Sequence, residues 1–310
     1  MKKDMKKLSM WLLAVVAGVS MSAVVSCSDD DSDDNNTDVG KTDPSTIAAD
    51  NLIAYFPFED NGNDAKGGLS PATSTGVSYV TGMKGKAYQG NGEKGSGGDV
   101  TGDSSYLHYK LPASSKLRDL QAFSFSMWIK CVATTDGGPE PMIFQIDGTT
   151  DFTWGNLFFL QQRNGAAADS AVLTTYFWKN DITPADPGKQ GQRAGAKLGN
   201  FFGKFIHVIS TYDNTTSKYV LYVDGAKFDG GTALENRTQG TDGPSLGNLK
   251  FNEAETLTIG AWAAVAKGNE TWQWAGFFKG NIDEFRIYDR ALTADEADAL
   301  YKAEFVATAE

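Results

Sequence analysis

Residues 122–132 read AFSFSMWIKCV, an alternation of large apolar and small or polar side chains. Phe123, Phe125, Met127, Ile129 and Cys131 fall on one parity; Ser124, Ser126, Trp128 and Lys130 fall on the other. A period of two is the mark of a strand with one buried face. Cys131, on the apolar parity, therefore reads as a core thiol. Downstream, KFIHVISTYD (204–213) and SKYVLYVDGAKF (217–228) follow the same rule. In the second, Asp224-Gly225 separates two β-rich runs and can supply the two positive φ angles of a type I′ hairpin turn. His207 lies inside the first run, with no cysteine or serine motif to make it catalytic, and reads as a satisfied structural residue.

One helix stands out. LTADEADALYKA (292–303) opens with Thr293 and Glu296 in capping-box spacing, and Ala297, Leu300 and Tyr301 share one helical face. Many strands with one short C-terminal helix indicate an all-β, two-sheet antiparallel sandwich. Residues 51–310 suit a single such domain, and the 34 glycines of the chain fit its many turns.

The amino end reads differently. Lys2, Lys3, Lys6 and Lys7 precede an apolar stretch from Leu8 to Val25, then small residues lead to Cys27. That is the layout of an export signal. Val24-Val25-Ser26-Cys27 resembles the lipobox of bacterial lipoproteins, which implies lipidation of Cys27 and removal of what precedes it. Residues 28–50 carry eight aspartates against Lys41, too little apolar surface to fold, and so are expected to form an extended acidic tether. Ser28 followed by Asp29-Asp30-Asp31 resembles the acidic address of Gram-negative lipoproteins on the exterior of the outer membrane. The organisation expected is thus 1–27 signal peptide, 28–50 tether and 51–310 folded domain.

The folded part holds 23 basic and 30 acidic residues, net −7, which argues against nucleic acid and other polyanions as partners. With Cys27 lipidated, only Cys131 remains, so no intrachain disulfide is available. Two histidines are too few for a histidine-rich metal site. No Ser-His-Asp order, zinc spacing or phosphate loop occurs.

LIAYFPFEDNGNDAKGG (52–68), GKAYQGNG (85–92), FSFSMWIK (123–130), FIHVISTYDNTTSKYVLYVDG (205–225), LTIGAW (257–262) and GNIDEFRIYDRALTADEADALY (280–301) occur in this order. Together they resemble the laminin-G-like, concanavalin A-like lectin/glucanase superfamily, with the last segment the most specific. The resemblance implies a jelly roll of two curved sheets with the first and last strands adjacent. It covers lectins, adhesion modules and glycoside hydrolases alike.

Retaining hydrolases of this superfamily carry paired carboxylates on one strand, in a Glu-x-Asp-x-x-Glu pattern. Here Asn281 and Arg286 stand where the outer acids would be, and Glu253 and Glu255 lack a third partner. A non-catalytic binding module is therefore expected. Its alternatives are a hydrolase with carboxylates on separate loops, or a protein-binding, adhesion or spacer module. The long polar connections 179–200 and 229–255, and the segment 262–278, are the places for a ligand. Trp262, Trp272 and Trp274 could stack on sugar faces, with Asn269 and Gln273 holding hydroxyls; alternatively the rings cap the core. The acidic domain favours a neutral polysaccharide over a sulfated one. By period two, Asp283 shares a face with Phe285 and Ile287, where a carboxylate requires a partner or a cation. The family's geometry implies that it lies near Asp60, Asn61, Asn63 and Asp64, an all-oxygen set suited to Ca2+; the alternative is an ordinary Asx turn.

Overall fold

The computed structural model of the chain describes residues 42–92, 105–133, 139–148, 156–167, 169–181, 191–268 and 275–305. Among these residues sixteen strands run in chain order: β1 Leu52–Phe56, β2 Thr73–Thr75, β3 Ser78–Thr81, β4 Lys86–Asn91, β5 Tyr106–Lys110, β6 Phe123–Cys131, β7 Glu140–Gly148 and β8 Leu157–Ala167. They continue with β9 Ser170–Trp178, β10 Gly191–Gly199, β11 Ile206–Asp213, β12 Lys218–Val223, β13 Ala226–Lys227, β14 Ala254–Ile259, β15 Ala275–Phe277 and β16 Lys279–Tyr288. Among the described residues three α-helices accompany them: α1 Gly231–Glu235, α2 Ala263–Ala266 and α3 Ala294–Glu304.

The strands form two eight-stranded sheets. The first runs β13-β12-β11-β6-β16-β4-β3, with β1 also paired to β16; the second runs β10-β9-β8-β7-β14-β5-β2, with β15 added to β7. All pairings are antiparallel except β15 with β7. The first and last strands are neighbours, with Tyr55 opposite Arg286 and Phe56 opposite Phe285. Between the sheets, side chains of one parity from each strand make the core. Phe125 and Phe285 from the first sheet both meet Phe144 of the second at 4.9 Å. Cys131 is fully buried there, and that burial pushes its thiol up. At Asp224 (φ 49°) and Gly225 (φ 77°), the hairpin between β12 and β13 takes the expected left-handed pair.

Four expectations need correction. β6 is buried on both faces, because α3 covers the outer one: Trp128 is 1% exposed and its indole N–H donates to Glu304 at 3.0 Å. The folded part starts before residue 51, since Pro44–Thr46 form a 3-10 turn and Ile47 packs with Leu292, Ala297 and Leu300. Residues 191–199, taken as loop, are the edge strand β10, in which Gln192, Ala194, Ala196 and Leu198 face inward. Their alternation is regular, but two of the four inward residues are alanines and the outward ones are glycines and cations. Lastly, Glu284 has φ 51° and forms a bulge in β16. The bulge shifts the parity, so Ile282 and Phe285 enter the core while Asp283 turns to the outer face beside Trp128.

Candidate functional site on the outer face of the second sheet

The outward parity of β8, β9 and β10 builds a row of side chains across the second sheet. Register places Phe158 opposite Tyr176, and Tyr176 opposite Arg193. Phe158 and Tyr176 stack at 4.7 Å with their planes 19° apart, and Tyr176 and Trp178 stack at 5.9 Å and 16°. Such offset stacks add about 0.5–1.5 kcal/mol each beyond area burial. Gly191, opposite Trp178, is required by this arrangement: a Cβ there would lie 2.5 Å from the indole ring. The ledge is graded. Phe158 is fully buried, Tyr176 and Trp178 are half-buried, and Arg193 at the sheet edge is exposed. The Arg193 guanidinium lies 6.0 Å from the Tyr176 ring centre, within cation–π range. Burial pushes the Tyr176 hydroxyl up, against the opposing pull of Arg193.

The segment from Gly260 covers the middle of the same face. Trp262 sits on Phe158 at 5.6 Å, is 1% exposed, and donates its indole N–H to the Glu140 carbonyl at 2.9 Å. It is thus a core side chain, and not the open stacking ring expected of it. Gln145 accepts from the Ala263 N–H at 2.9 Å, and Lys267 reaches Asp147 at 3.4 Å and the Gly148 carbonyl at 2.9 Å. On β5, Tyr106 donates to Ala266 O at 3.2 Å. His108 pairs with Thr258 at 2.8 Å, and burial, with Lys267 and Lys110 nearby, holds its imidazole down at about 4. Asp147 and Gln145 of β7 therefore help to seat α2. Asn269, Trp272, Gln273 and Trp274 lie outside the described residues, as does Cys27.

The five expected calcium ligands do not form one cage. Asp60 is exposed at φ 57°, while Asn61 donates to Glu59 O at 2.7 Å and accepts from Asn63 N at 2.9 Å, an Asx turn. Asp64 Oδ1 accepts from the N–H groups of Tyr55, Lys66 and Gly67 at 2.8–2.9 Å, which fixes the turn after β1. It also lines a cavity of about 370 Å³ floored by Leu52, Leu69 and Leu117. Asp283 instead accepts from Met83 and Lys84 N–H at 2.7 and 2.9 Å, and burial pushes its carboxyl up to about 7. Among the described residues no three His, Cys, Asp or Glu side chains are grouped so as to hold a metal ion. Asp64 Oδ1 and Asp283 Oδ2 thus each hold a separate turn through N–H donors, while Asp64 Oδ2 and Asp283 Oδ1 are buried without a hydrogen-bond partner.

Nor do the carboxylates of β16 face a ligand. Glu284 is buried, accepts from Tyr55 at 2.8 Å and Arg286 at 2.7 Å, and has Lys84 at 3.7 Å. Glu304 pairs with Arg286 beneath α3. His207 completes this cluster with Ser126 at 2.8 Å, as the structural residue expected, and burial holds its imidazole down at about 3. Sequence reasoning missed Tyr176, Trp178 and Arg193. Their signal was available in the alternation of SAVLTTYFW (170–178) against GQRAGAKLG (191–199).

No curated protein matches the sequence. Among solved structures, the chain is similar to the binding domain of botulinum neurotoxin DC in complex with SialylT, at 12% identity and a TM-score of 0.56. It is likewise similar to that binding domain in complex with rat synaptotagmin II (13%, TM-score 0.56) and to the receptor binding domain of botulinum neurotoxin type G (12%, TM-score 0.52). These matches take in 83%, 84% and 81% of this chain but only 52%, 52% and 51% of those chains. At such identities the likeness shows the fold alone. Residues 102–258 match a family model described as Laminin_G_3, and with the two-sheet sandwich already in place the chain belongs to the concanavalin A-like lectin/glucanases superfamily.

Proposed function

We propose that the protein is a non-catalytic, carbohydrate-binding module held at the bacterial cell surface by a lipid on Cys27 and an acidic tether. The observation that carries the binding assignment is the ledge of Tyr176 and Trp178, stacked on a buried aromatic base on the strand next to the sheet edge. A flat, half-buried pair of rings of fixed orientation suits the apolar C–H face of a sugar ring, and little side-chain entropy remains to be lost on contact. Neighbouring Arg193 supplies hydrogen-bond donors for hydroxyls. No comparable feature favours the alternatives of protein-binding, adhesion or spacer module, and the carboxylates of β16 are taken up by structural partners. Glycan-binding proteins in solved structures of this fold, such as the neurotoxin domain in complex with SialylT, lend support by analogy.

The test is a glycan array with the full chain, its Trp178→Ala variant and its Tyr176→Ala variant. Loss of a hot-spot aromatic should weaken binding about tenfold or more. Reducing-sugar release by the intact protein, or array binding that both variants retain, would overturn the reading.

A further inference from the structure

The net charge of the domain favours a neutral ligand, but the charge at the ledge has the opposite sign. Along β10, Arg193, Gly195 and Lys197 share the outward parity, and all three are exposed. The outward residues across from them are Tyr176, Thr174 and Val172 on β9, then Phe158, Leu160 and Gln162 on β8. Not one is acidic. Among the described residues neither Arg193 nor Lys197 has an ion pair. The acidic residues around the strip are Glu140 of β7, whose charge acts on Tyr176, Asp169 after β8, and Asp181, which is paired with Lys179 at 3.2 Å; Asp186 lies outside the described residues. Between the two cations, Gly195 leaves the strand bare. A Cβ on it would approach Thr174 Oγ1 at 3.1 Å, and that hydroxyl oxygen is buried without a hydrogen-bond partner.

We infer that this strip selects an anionic saccharide, one carrying carboxylate or sulfate groups, and this rests on the binding face proposed above. Arg193 offers a planar fork that fits either anion, beside the rings that would hold the sugar. Four residues of extended chain separate Arg193 from Lys197, about 13 Å. At that spacing an oligosaccharide with repeated anionic groups can meet both cations without the two side chains having to converge on one anion. The unpartnered Thr174 hydroxyl, facing the bare backbone of Gly195, marks a further polar contact between them.

The experiment titrates the full chain with polygalacturonate, dextran sulfate, neutral dextran and polyglutamate, at low and at physiological ionic strength. Binding to one or both anionic glycans, weakened by salt, is expected; preference between the two identifies carboxylate or sulfate as the group read. R193Q and K197Q should each weaken it about two- to fivefold, as exposed ion pairs do, and R193E more. Equal affinity for neutral dextran, unchanged in R193Q and K197Q, would overturn the inference; loss of that binding in Trp178→Ala would then leave the binding face standing. Anionic-glycan binding that survives Trp178→Ala and Tyr176→Ala but is lost in R193E would support the strip and sink the aromatic ledge. Polyglutamate bound as tightly as the glycans would show that the occupant is an acidic protein, and binding to none of the four would overturn both.

Discussion

At φ 51°, Glu284 shifts the parity of β16, so that Asp283 and Arg286, three residues apart, both face outward. Arg286 then meets Glu284 and Glu304, two carboxylates sharing one guanidinium in a buried cluster. Burial outweighs the attraction of Arg286 and pushes the Glu304 carboxyl from 4.5 up to about 8. The folded state thus holds a proton there that the unfolded state releases, and its contribution to stability is present below pH 4.5 and lost as pH rises towards 8. Asp283, raised to about 7, acts with the same sign. Above pH 6.5, where the opposite contribution of the depressed His108 and His207 is complete, urea midpoints should fall as pH rises to 8, and Glu304→Gln should flatten part of that fall. An unaltered slope in the variant would refute the assignment. A second outcome concerns Trp262. With its ring buried and its N–H bonded, Trp262→Ala should cost about 3–5 kcal/mol in a urea titration. The residue type alone could not tell a buried ring from an open one, because tryptophan is apolar in body and polar at one atom. Its burial follows from Phe158, more than 100 residues away in sequence.

Among the elements, α3 was plain from its residues, because capping is local chemistry: Thr293 accepts from Glu296 N–H and the Glu296 carboxylate accepts in return from Thr293 N–H at 2.9 Å. What α3 covers was not plain. It lays Ala297 and Leu300 on Ile209, Tyr222 and Tyr288, outer-face residues of the first sheet. Leu300→Ala should therefore cost about 2–5 kcal/mol by chemical denaturation, well above the cost of an exposed helix position. β10 is the contrasting case. Small inward residues such as Ala194 and Ala196 carry a weak hydrophobic signal, and three glycines in nine residues disguise a strand. β10 became legible only when paired with β9. The candidate site shares that fate, since its ledge is made from register between strands and not from any contiguous motif.

At the scale of the molecule, period-two runs and one capping box were enough for the sandwich, because each strand declares its own parity. The order of strands within the sheets needed the family resemblance or the structure. If the leader works as proposed, Cys27→Ala should abolish partitioning of the protein into detergent as a lipoprotein; unchanged partitioning would refute it. The pairing of β1 with β16 joins residues far apart, as in the hydrogen bond from Tyr55 to Glu284 across 229 positions. β16 is also the shared neighbour of β6 and β4, so without it β1 and β4 lose their place beside β6. Closing contacts of such separation is slow, because the loop entropy is lost before the contacts repay it. A chain shortened to end at residue 279 should stay unfolded, seen as the absence of a cooperative thermal transition. If the chain is delivered amino end first through a membrane, as the proposed leader requires, the same arrangement sets a clock: the first sheet cannot close until its last strand arrives, and the chain stays threadable until it is nearly all across.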